Sequence, residues 1–313
     1  MNETNRGIEF LHTTQMGLGA WQWGDRLQWG YGHGYGEADV HAVFQAAVEQ
    51  NILFVDTAEA YGNGLSERLL GTYLNGSKPP IRVATKFFPW PWRLTSDSIP
   101  AALKASLRRL RLEQVDIYQI HWPSPIISIQ KIKEGLTKCV EMGLARSVGV
   151  SNFGLTKMEQ VYTALAQKNI PLASNQLHFS LLNRTVEKNG LLARCTELGI
   201  RLIAYSPLEM GLLTGKYSPE KPPPGPRSLQ YRFRLPKIAP LIKLMYEIGQ
   251  EYGGKTSSQV ALNWVICKGA LPIPGAKKPA QILENAGALG WKLSADEVHR
   301  LDEMSDQINP TET

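Results

Sequence analysis

Four residues of the kind that move protons stand at or just beyond the ends of three apolar runs: Asp56 with Tyr61, then Lys86, then His121. The run Phe54–Ala58 carries the aspartate, and the tyrosine follows five residues after it. Arg82–Lys86 ends on an ammonium, and Val115–His121 on an imidazole followed by Trp122 and Pro123. A phenol has a pKa of about 10 and is a poor acid near neutrality. A neighbouring ammonium stabilises the phenolate and eases proton donation. A carboxylate paired to that ammonium keeps it charged and oriented, and an imidazole can hydrogen-bond the oxygen being protonated. Together they could protonate an alkoxide as it forms from a carbonyl. The set contains no Ser/His nucleophile–base pair and no metal-ligand spacing. Singly, each residue has an ordinary alternative: a turn-capping aspartate, a packed tyrosine ring, a solvated lysine, a satisfied core histidine. Their joint occurrence at three consecutive run ends carries the chemical reading. Glu59, inside the first motif, is expected to point away from the pocket.

Convergence requires the runs to be neighbouring strands. Strand-length runs recur at Met16–Trp21, Phe54–Ala58, Arg82–Phe87, Val115–Trp122, Ser147–Ser151, Ala173–Leu177, Arg201–Tyr205 and Ala270–Pro274. Segments between them have helical period: Ile99, Leu103, Leu107 and Leu110 share one face, and Val40, Phe44, Ala47 and Val48 another. Ser66 with Glu67 and Ser98 with Pro100 mark helix starts, and Gly143, Gly199 and Gly253 mark stops. Eight alternating units predict a parallel sheet closed into a (β/α)₈ barrel, a single domain over residues 1–313. An open doubly wound sheet would carry a glycine-rich turn directly after its first strand. Gly30–Gly36 has neither that spacing nor that position. Two long loops, Gln22–Gly36 and Pro207–Pro236, follow strands and so belong on the C-terminal face, where barrel sites are built.

Bulk composition narrows the class. With 43% hydrophobic and 20% charged residues the chain is ordinary globular material. Three separated cysteines (Cys139, Cys195, Cys267) fall in helical segments and suggest buried thiols in a reducing compartment, not a disulfide frame. The start of the chain has no apolar signal core, and no run reaches membrane-span length. The expectation is a cytoplasmic protein, or one in the plastid stroma if a transit peptide has been removed. The net charge of +6 comes from scattered residues, so nucleic acid and membrane are not expected partners and a small polyanionic ligand is compatible.

In wording as well as spacing, the chain resembles the aldo-keto reductases. The likeness rests on Asp56-Thr-Ala-x-x-Tyr61, Ala84-Thr-Lys86, Ile120-His121-Trp-Pro123, Gly149-Val-Ser-Asn152-Phe153, Asn175-Gln176, Ala204-Tyr205-Ser-Pro207 and Ile273-Pro-Gly275. It runs in register from Met16 to about Trp291. The stretches Trp21–Gly24, Leu172–Gln176 and Pro224–Arg227 are similar to the plant-plastid and cyanobacterial branch. The resemblance implies NADPH-dependent reduction of an aldehyde or ketone, with NADH used less well. By the same resemblance Tyr61 is the proton donor, Lys86 lowers its pKa, Asp56 pairs with Lys86 and His121 orients the carbonyl. Ser151, Asn152 and Gln176 would hold the nicotinamide carboxamide, and Tyr205 would stack on its ring. The rest of the implied cofactor contact set is Gly19, Ala20, Trp21, Ser206, Leu208, Gly211, Gly275, Ala276, Lys277, Lys278, Gln281, Glu284 and Asn285. Gly275 and Gln281 stand where many relatives have a lysine and an arginine, so Lys277 and Lys278 are the expected readers of the 2′-phosphate. Ala20 stands where many relatives have threonine. Trp21, Trp23, Trp90, Trp92 and Trp122 are the candidate apolar wall for a small-molecule aldehyde or ketone. The family also resembles potassium-channel β subunits, so a cofactor-binding regulatory or sensor subunit is the alternative. A cofactor-free barrel lyase or isomerase is a third.

Overall fold

The structure is a computed structural model describing residues 3–77, 79–223 and 227–308. Pro224–Pro226, which hold part of the proline-rich stretch and of one resemblance motif, lie outside the described residues. One parallel sheet runs β1 (Leu18–Gly19), β2 (Phe54–Asp56), β3 (Arg82–Phe87), β4 (Val115–Ile120), β5 (Ala145–Ser151), β6 (Leu172–His178), β7 (Arg201–Tyr205) and β8 (Leu271–Pro272), in chain order. Among the described residues, no helix is long and apolar enough to cross a membrane.

The barrel closes at a seam whose chemistry explains why β1 and β8 are two residues long instead of the expected six and five. Pro272 and Pro274 have no N–H to give. The donors therefore come from the other side: Gly17 N–H reaches the Pro272 carbonyl at 3.0 Å and Gly19 N–H the Pro274 carbonyl at 3.2 Å. Only glycine fits there, because a Cβ on Gly17 would lie 2.6 Å from the Phe54 ring and one on Gly19 2.8 Å from the Ile273 carbonyl. The other strand limits shift by a residue or two. β4 stops at Ile120, although His121 N–H still bonds the Phe87 carbonyl at 2.9 Å. β2 stops at Asp56, and β5 starts earlier, at Ala145.

Alternation along the strands builds the site. Phe54, Ala84, Ile117, Ala173, Ile203, Leu271 and Ile273 form an apolar plug inside the barrel. Two residues further along the same strands the inward positions turn polar: Asp56 follows Phe54, Lys86 follows Ala84, and Gln119 then His121 follow Ile117. The apolar half holds the barrel together and the polar half forms the floor of a C-terminal cavity. A helix over Glu3–Thr13, which the sequence pattern did not indicate, caps the opposite end, with Leu11 buried in the plug and the Phe10 and Phe54 ring centroids 5.8 Å apart.

The outer helices follow their apolar period. Ile99, Leu103, Leu107 and Leu110 are all buried on the helix Ser98–Leu110, whereas Val48 is only half-buried on Glu37–Glu49. Gly143, Gly199 and Gly253 end helices with φ of 67°, 68° and 74°. Cys139 and Cys195 are buried free thiols, pushed up to about 12 by burial, while Cys267 is half-buried. The stretch Pro207–Pro236 is less open than expected. It contains a 3-10 segment (Glu209–Thr214) and a short helix (Arg227–Tyr231), and its last two residues begin the helix Leu235–Glu251.

Candidate active site

At the C-terminal end of the barrel a cavity of about 550 Å³ is lined by side chains from β1 through β8 and their following loops. Asp56, Tyr61 and His121 of the expected quartet line its floor, and Lys86 is buried beneath it against Asp56 and Tyr61. Lys86 Nζ donates to Asp56 Oδ2 at 2.5 Å, to the Thr57 carbonyl at 2.9 Å and to the Tyr61 hydroxyl at 3.3 Å. Lys86 is fully buried and Asp56 nearly so. The register explains this: Asp56 pairs with Ala84, so Lys86, two residues on, is the next inward position of the neighbouring strand and lies level with Gln119, within reach of the carboxylate. Asp56 Oδ1 is held as well, by Gln119 Nε2 at 3.2 Å and Gln176 Nε2 at 2.8 Å.

The electrostatics differ from the simple expectation for Tyr61. Burial pushes its phenol above 10.0; Lys86 pulls it down and Asp56 adds to the rise, with burial winning. Lys86 is therefore an offset to desolvation, and the phenol stays protonated near neutrality. For Lys86 burial opposes the charge, but Asp56 and Tyr61 outweigh it and its pKa rises. His121 lies well below its ordinary value, from burial first and then from Lys86, so its imidazole is neutral. Its Nδ1 is buried without a partner. Tyr61 sits edge-on to His121, with centroids 5.6 Å apart, and 6.3 Å from Trp21. Glu59 points out of the cavity, as expected. It accepts the Phe88 N–H at 2.7 Å and clamps the Arg93 guanidinium with both oxygens, which fixes the turn after β3.

Most of the proposed cofactor contacts line the same cavity: Gly19, Ala20, Trp21, Ser151, Asn152, Gln176, Tyr205, Ser206, Leu208, Gly211, Gly275, Lys277 and Gln281. Ala276, Lys278, Glu284 and Asn285 do not; Ala276 and Asn285 are buried, and Glu284 bonds the Thr256 hydroxyl. Ser151, Asn152 and Gln176 are knitted together. Asn152, at φ 63°, gives its amide to the His121 carbonyl and to Ser151 Oγ, both at 3.0 Å, and accepts the Tyr205 hydroxyl at 3.0 Å. Ser151 Oγ bonds the Gln176 carbonyl at 3.0 Å. Ala20, lacking the hydroxyl common at its position, is fixed through its backbone: its N–H reaches the Asp56 carbonyl and its carbonyl accepts Ser66 Oγ, both at 2.9 Å.

Lys277 reaches across the rim. Its Nζ donates to the Trp29 carbonyl at 2.7 Å and lies over the rings of Trp29 and Tyr35, 5.1 and 4.6 Å from their centroids. Gln281 Oε1 accepts the N–H groups of Lys277 (2.8 Å) and Lys278 (3.2 Å), closing the start of the helix Pro279–Ala286.

Of the five tryptophans expected to form the substrate wall, Trp21 and Trp122 line the cavity. Trp23 does not: it is completely buried, edge-on to Tyr73. Trp90 and Trp92 stack on each other outside the cavity, centroids 5.3 Å apart, with Trp92 72% exposed. Loop residues have no period, so one-residue steps between Trp21 and Trp23 decide in from out without a sequence signal. Phe88, Trp29, Gln22, Met210 and Lys216 line the cavity and were missed. Gln119 and Phe88 had a signal, since each is two residues from a polar inward residue on its own strand line. Gln22 had none; its amide covers Gly275 so closely that a Cβ there would come within 2.1 Å, and its Oε1 is buried without a partner beside the cavity.

Comparisons with known proteins show the family and the fold. The profile of the aldo/keto reductase family matches residues 15–306. The chain is similar to the chloroplastic pyridoxal reductase of Arabidopsis thaliana, at 45% identity over 93% of this chain and 83% of that protein. It is also similar to a solved glycerol dehydrogenase from Gluconobacter oxydans, at 28% identity, TM-score 0.83, covering 96% of this chain and 93% of the other. A solved aldo/keto reductase from Klebsiella pneumoniae in complex with NADP and acetate is similar at 26% identity and TM-score 0.74, covering 93% and 91%.

Proposed function

Because the chain belongs to the aldo/keto reductase family, and so is an NAD(P)H-dependent oxidoreductase built as a single-domain barrel, we propose that it reduces aromatic aldehydes of the pyridoxal type with NADPH. The observation carrying this reading is the Asp56–Lys86–Tyr61 relay on the cavity floor beside a neutral His121. The cavity fits a dinucleotide: it runs from Tyr61 and His121 to Lys277 and Gln281 and includes the cation Lys216 and the buried, unpartnered Gln22 Oε1. The chemistry that a reduced nicotinamide would supply there is a hydride for the carbonyl carbon. Ser151, Asn152 and Gln176 would hold its carboxamide and Tyr205 would back its ring. His121 hydrogen-bonds the carbonyl oxygen and fixes its angle. Tyr61 gives its proton to that oxygen as negative charge develops on it, and Lys86 stabilises the phenolate left behind. Asp56, held by Gln119 and Gln176, keeps Lys86 in place.

The aromatic aldehyde class is supported by the wall. Trp21, Phe88 and Trp122 present flat apolar faces near Tyr61 and His121 and carry no charge of their own. Pyridoxal is the substrate named for the Arabidopsis relative. A neutral aromatic aldehyde satisfies such a wall, whereas a phosphate placed against it would lose hydration without a cation in return. Steady-state kinetics with NADPH are expected to rank pyridoxal and benzaldehyde-like substrates above pyridoxal 5′-phosphate. Tight NADPH binding with no turnover on any aldehyde would overturn the reductase reading in favour of a sensor.

Cofactor preference follows from the adenosine end. Lys277 and Lys278 act as point charges, without the planar clamp of an arginine. Gln281 also occupies backbone donors that an anion would otherwise use. The preference for NADPH over NADH is therefore modest, and Gln281→Arg is expected to raise it about five- to tenfold in kcat/KM. Replacing Lys277 and Lys278 with Ala should weaken NADPH far more than NADH. Equal losses for both cofactors would show that these lysines do not read the phosphate.

A further inference from the structure

The turn after β7 carries a polar cluster that the proton relay does not use. Ser206, Glu209 and Met210 all have left-handed backbones, at φ 52°, 48° and 50°, and Gly211 follows at 98°. Non-glycine residues are strained in that region, so the turn must be anchored. Glu209 is the anchor. It is buried, and its Oε1 accepts from His178 Nε2 at 2.5 Å and Ser180 Oγ at 2.7 Å, with Arg234 3.9 Å from Oε2. The other imidazole nitrogen, Nδ1, meets Asn183 Nδ2 at 2.8 Å. Asn183 Oδ1 accepts the Thr185 N–H at 3.4 Å, which orients that amide with its donor toward the ring. Nδ1 is then the acceptor and the proton sits on Nε2, facing Glu209. His178 is locked at both nitrogens.

The locked ring stacks on Tyr205, with centroids 5.3 Å apart and planes 16° from parallel. Tyr205 lines the cavity, and neither His178 nor Glu209 does. The tyrosine is thus pinned by its hydroxyl to Asn152 and backed by an imidazole that cannot turn.

The geometry points to His178 and Glu209 as positioning residues for hydride transfer. Glu209 fixes the imidazole, the imidazole backs Tyr205, and Tyr205 offers the nicotinamide a surface of fixed depth. The same carboxylate holds the strained turn whose Ser206, Leu208 and Gly211 line the cavity, so one pair sets the platform and the segment beside it. This inference rests on the reading that the nicotinamide lies against Tyr205.

The test uses the full chain carrying His178→Ala, His178→Phe, Glu209→Gln or Tyr205→Ala. Readouts are NADPH affinity by tryptophan quenching, thermal midpoint, aldehyde KM, and the isotope effect with NADPH deuterated at the transferred position. His178→Ala is expected to weaken NADPH roughly three- to tenfold, the scale of one aromatic stack, with aldehyde KM within about twofold and a larger isotope effect on kcat. His178→Phe restores a ring behind Tyr205 and should recover most of the affinity; Glu209→Gln should fall between. A merely structural role would lower the midpoint and shift all constants together, with no rescue by Phe. Unchanged NADPH affinity and isotope effect in His178→Ala, or no advantage of Phe over Ala, would overturn the inference. Should His178→Ala not fold, the Phe and Gln variants decide it by the same readouts. If Tyr205→Ala binds NADPH like the parent, the nicotinamide does not lie on Tyr205, and it is the underlying reading that fails.

Discussion

Tyr61→Phe is expected to lower kcat for aldehyde reduction by about 10²–10⁴-fold, the range a positioned general acid contributes, while NADPH affinity stays within about twofold of the parent. The substitution removes one hydroxyl and leaves the ring between Trp21 and His121. Lys86 loses its 3.3 Å contact to the phenol but keeps Asp56 and the Thr57 carbonyl, so the floor of the cavity holds its shape. Turnover within tenfold of the parent would remove Tyr61 as the proton donor. The pH profile gives an independent check on the same assignment. Reduction needs the protonated phenol, and burial holds Tyr61 above 10.0 despite Lys86. His121 stays neutral because its pKa lies well below 6.5. Neither group changes charge near neutrality, so reduction should be flat from about pH 7 to 9 and fall only at higher pH. Alcohol oxidation uses the phenolate and should rise over that alkaline limb. An inflection near 6.5 that disappears in a His121 variant would show that the imidazole titrates in the working range.

How much of this was legible in the sequence depended on periodicity. Asp56, Lys86 and His121 could be placed together because strand alternation is strict and each ends an apolar run at the C-terminal end of its strand. Gln119, two residues before His121 on the same face, obeys the same rule and was available to it. The barrel class followed from eight alternating units, but the seam did not, since nothing local says that the carbonyls of Pro272 and Pro274 would serve Gly17 and Gly19. The loops were opaque for the complementary reason. Trp21 faces the cavity and Trp23 is buried beside Tyr73, and no repeat distinguishes them. His178 and Glu209 are a pair only because the turn after β7 folds back on the end of β6, a contact across 31 residues with no spacing rule behind it.

Lys86→Met should be the most damaging single change to both fold and function, and the two effects can be separated. Lys86 and Asp56 are a buried ion pair at 2.5 Å, with side chains 0% and 2% exposed. Removing one partner of such a pair costs about 3–5 kcal/mol, because the other charge is left desolvated and unpaired. Asp56 would keep Gln119 and Gln176 on Oδ1 but lose the ammonium on Oδ2. Chemical denaturation should therefore show a loss of that size, together with a fall in turnover comparable to Tyr61→Phe, since the phenolate would no longer be stabilised. Adding Asp56→Asn to Lys86→Met removes the stranded charge and should restore most of the stability, yet turnover should stay lost. Asp56→Asn alone tests the link from the other side. Without the carboxylate, burial is no longer outweighed and the Lys86 pKa falls, so the lysine sheds its proton more readily and Tyr61 loses its cation. A double variant that regains both stability and turnover would mean that the pair serves the fold alone and that the proton is supplied from elsewhere.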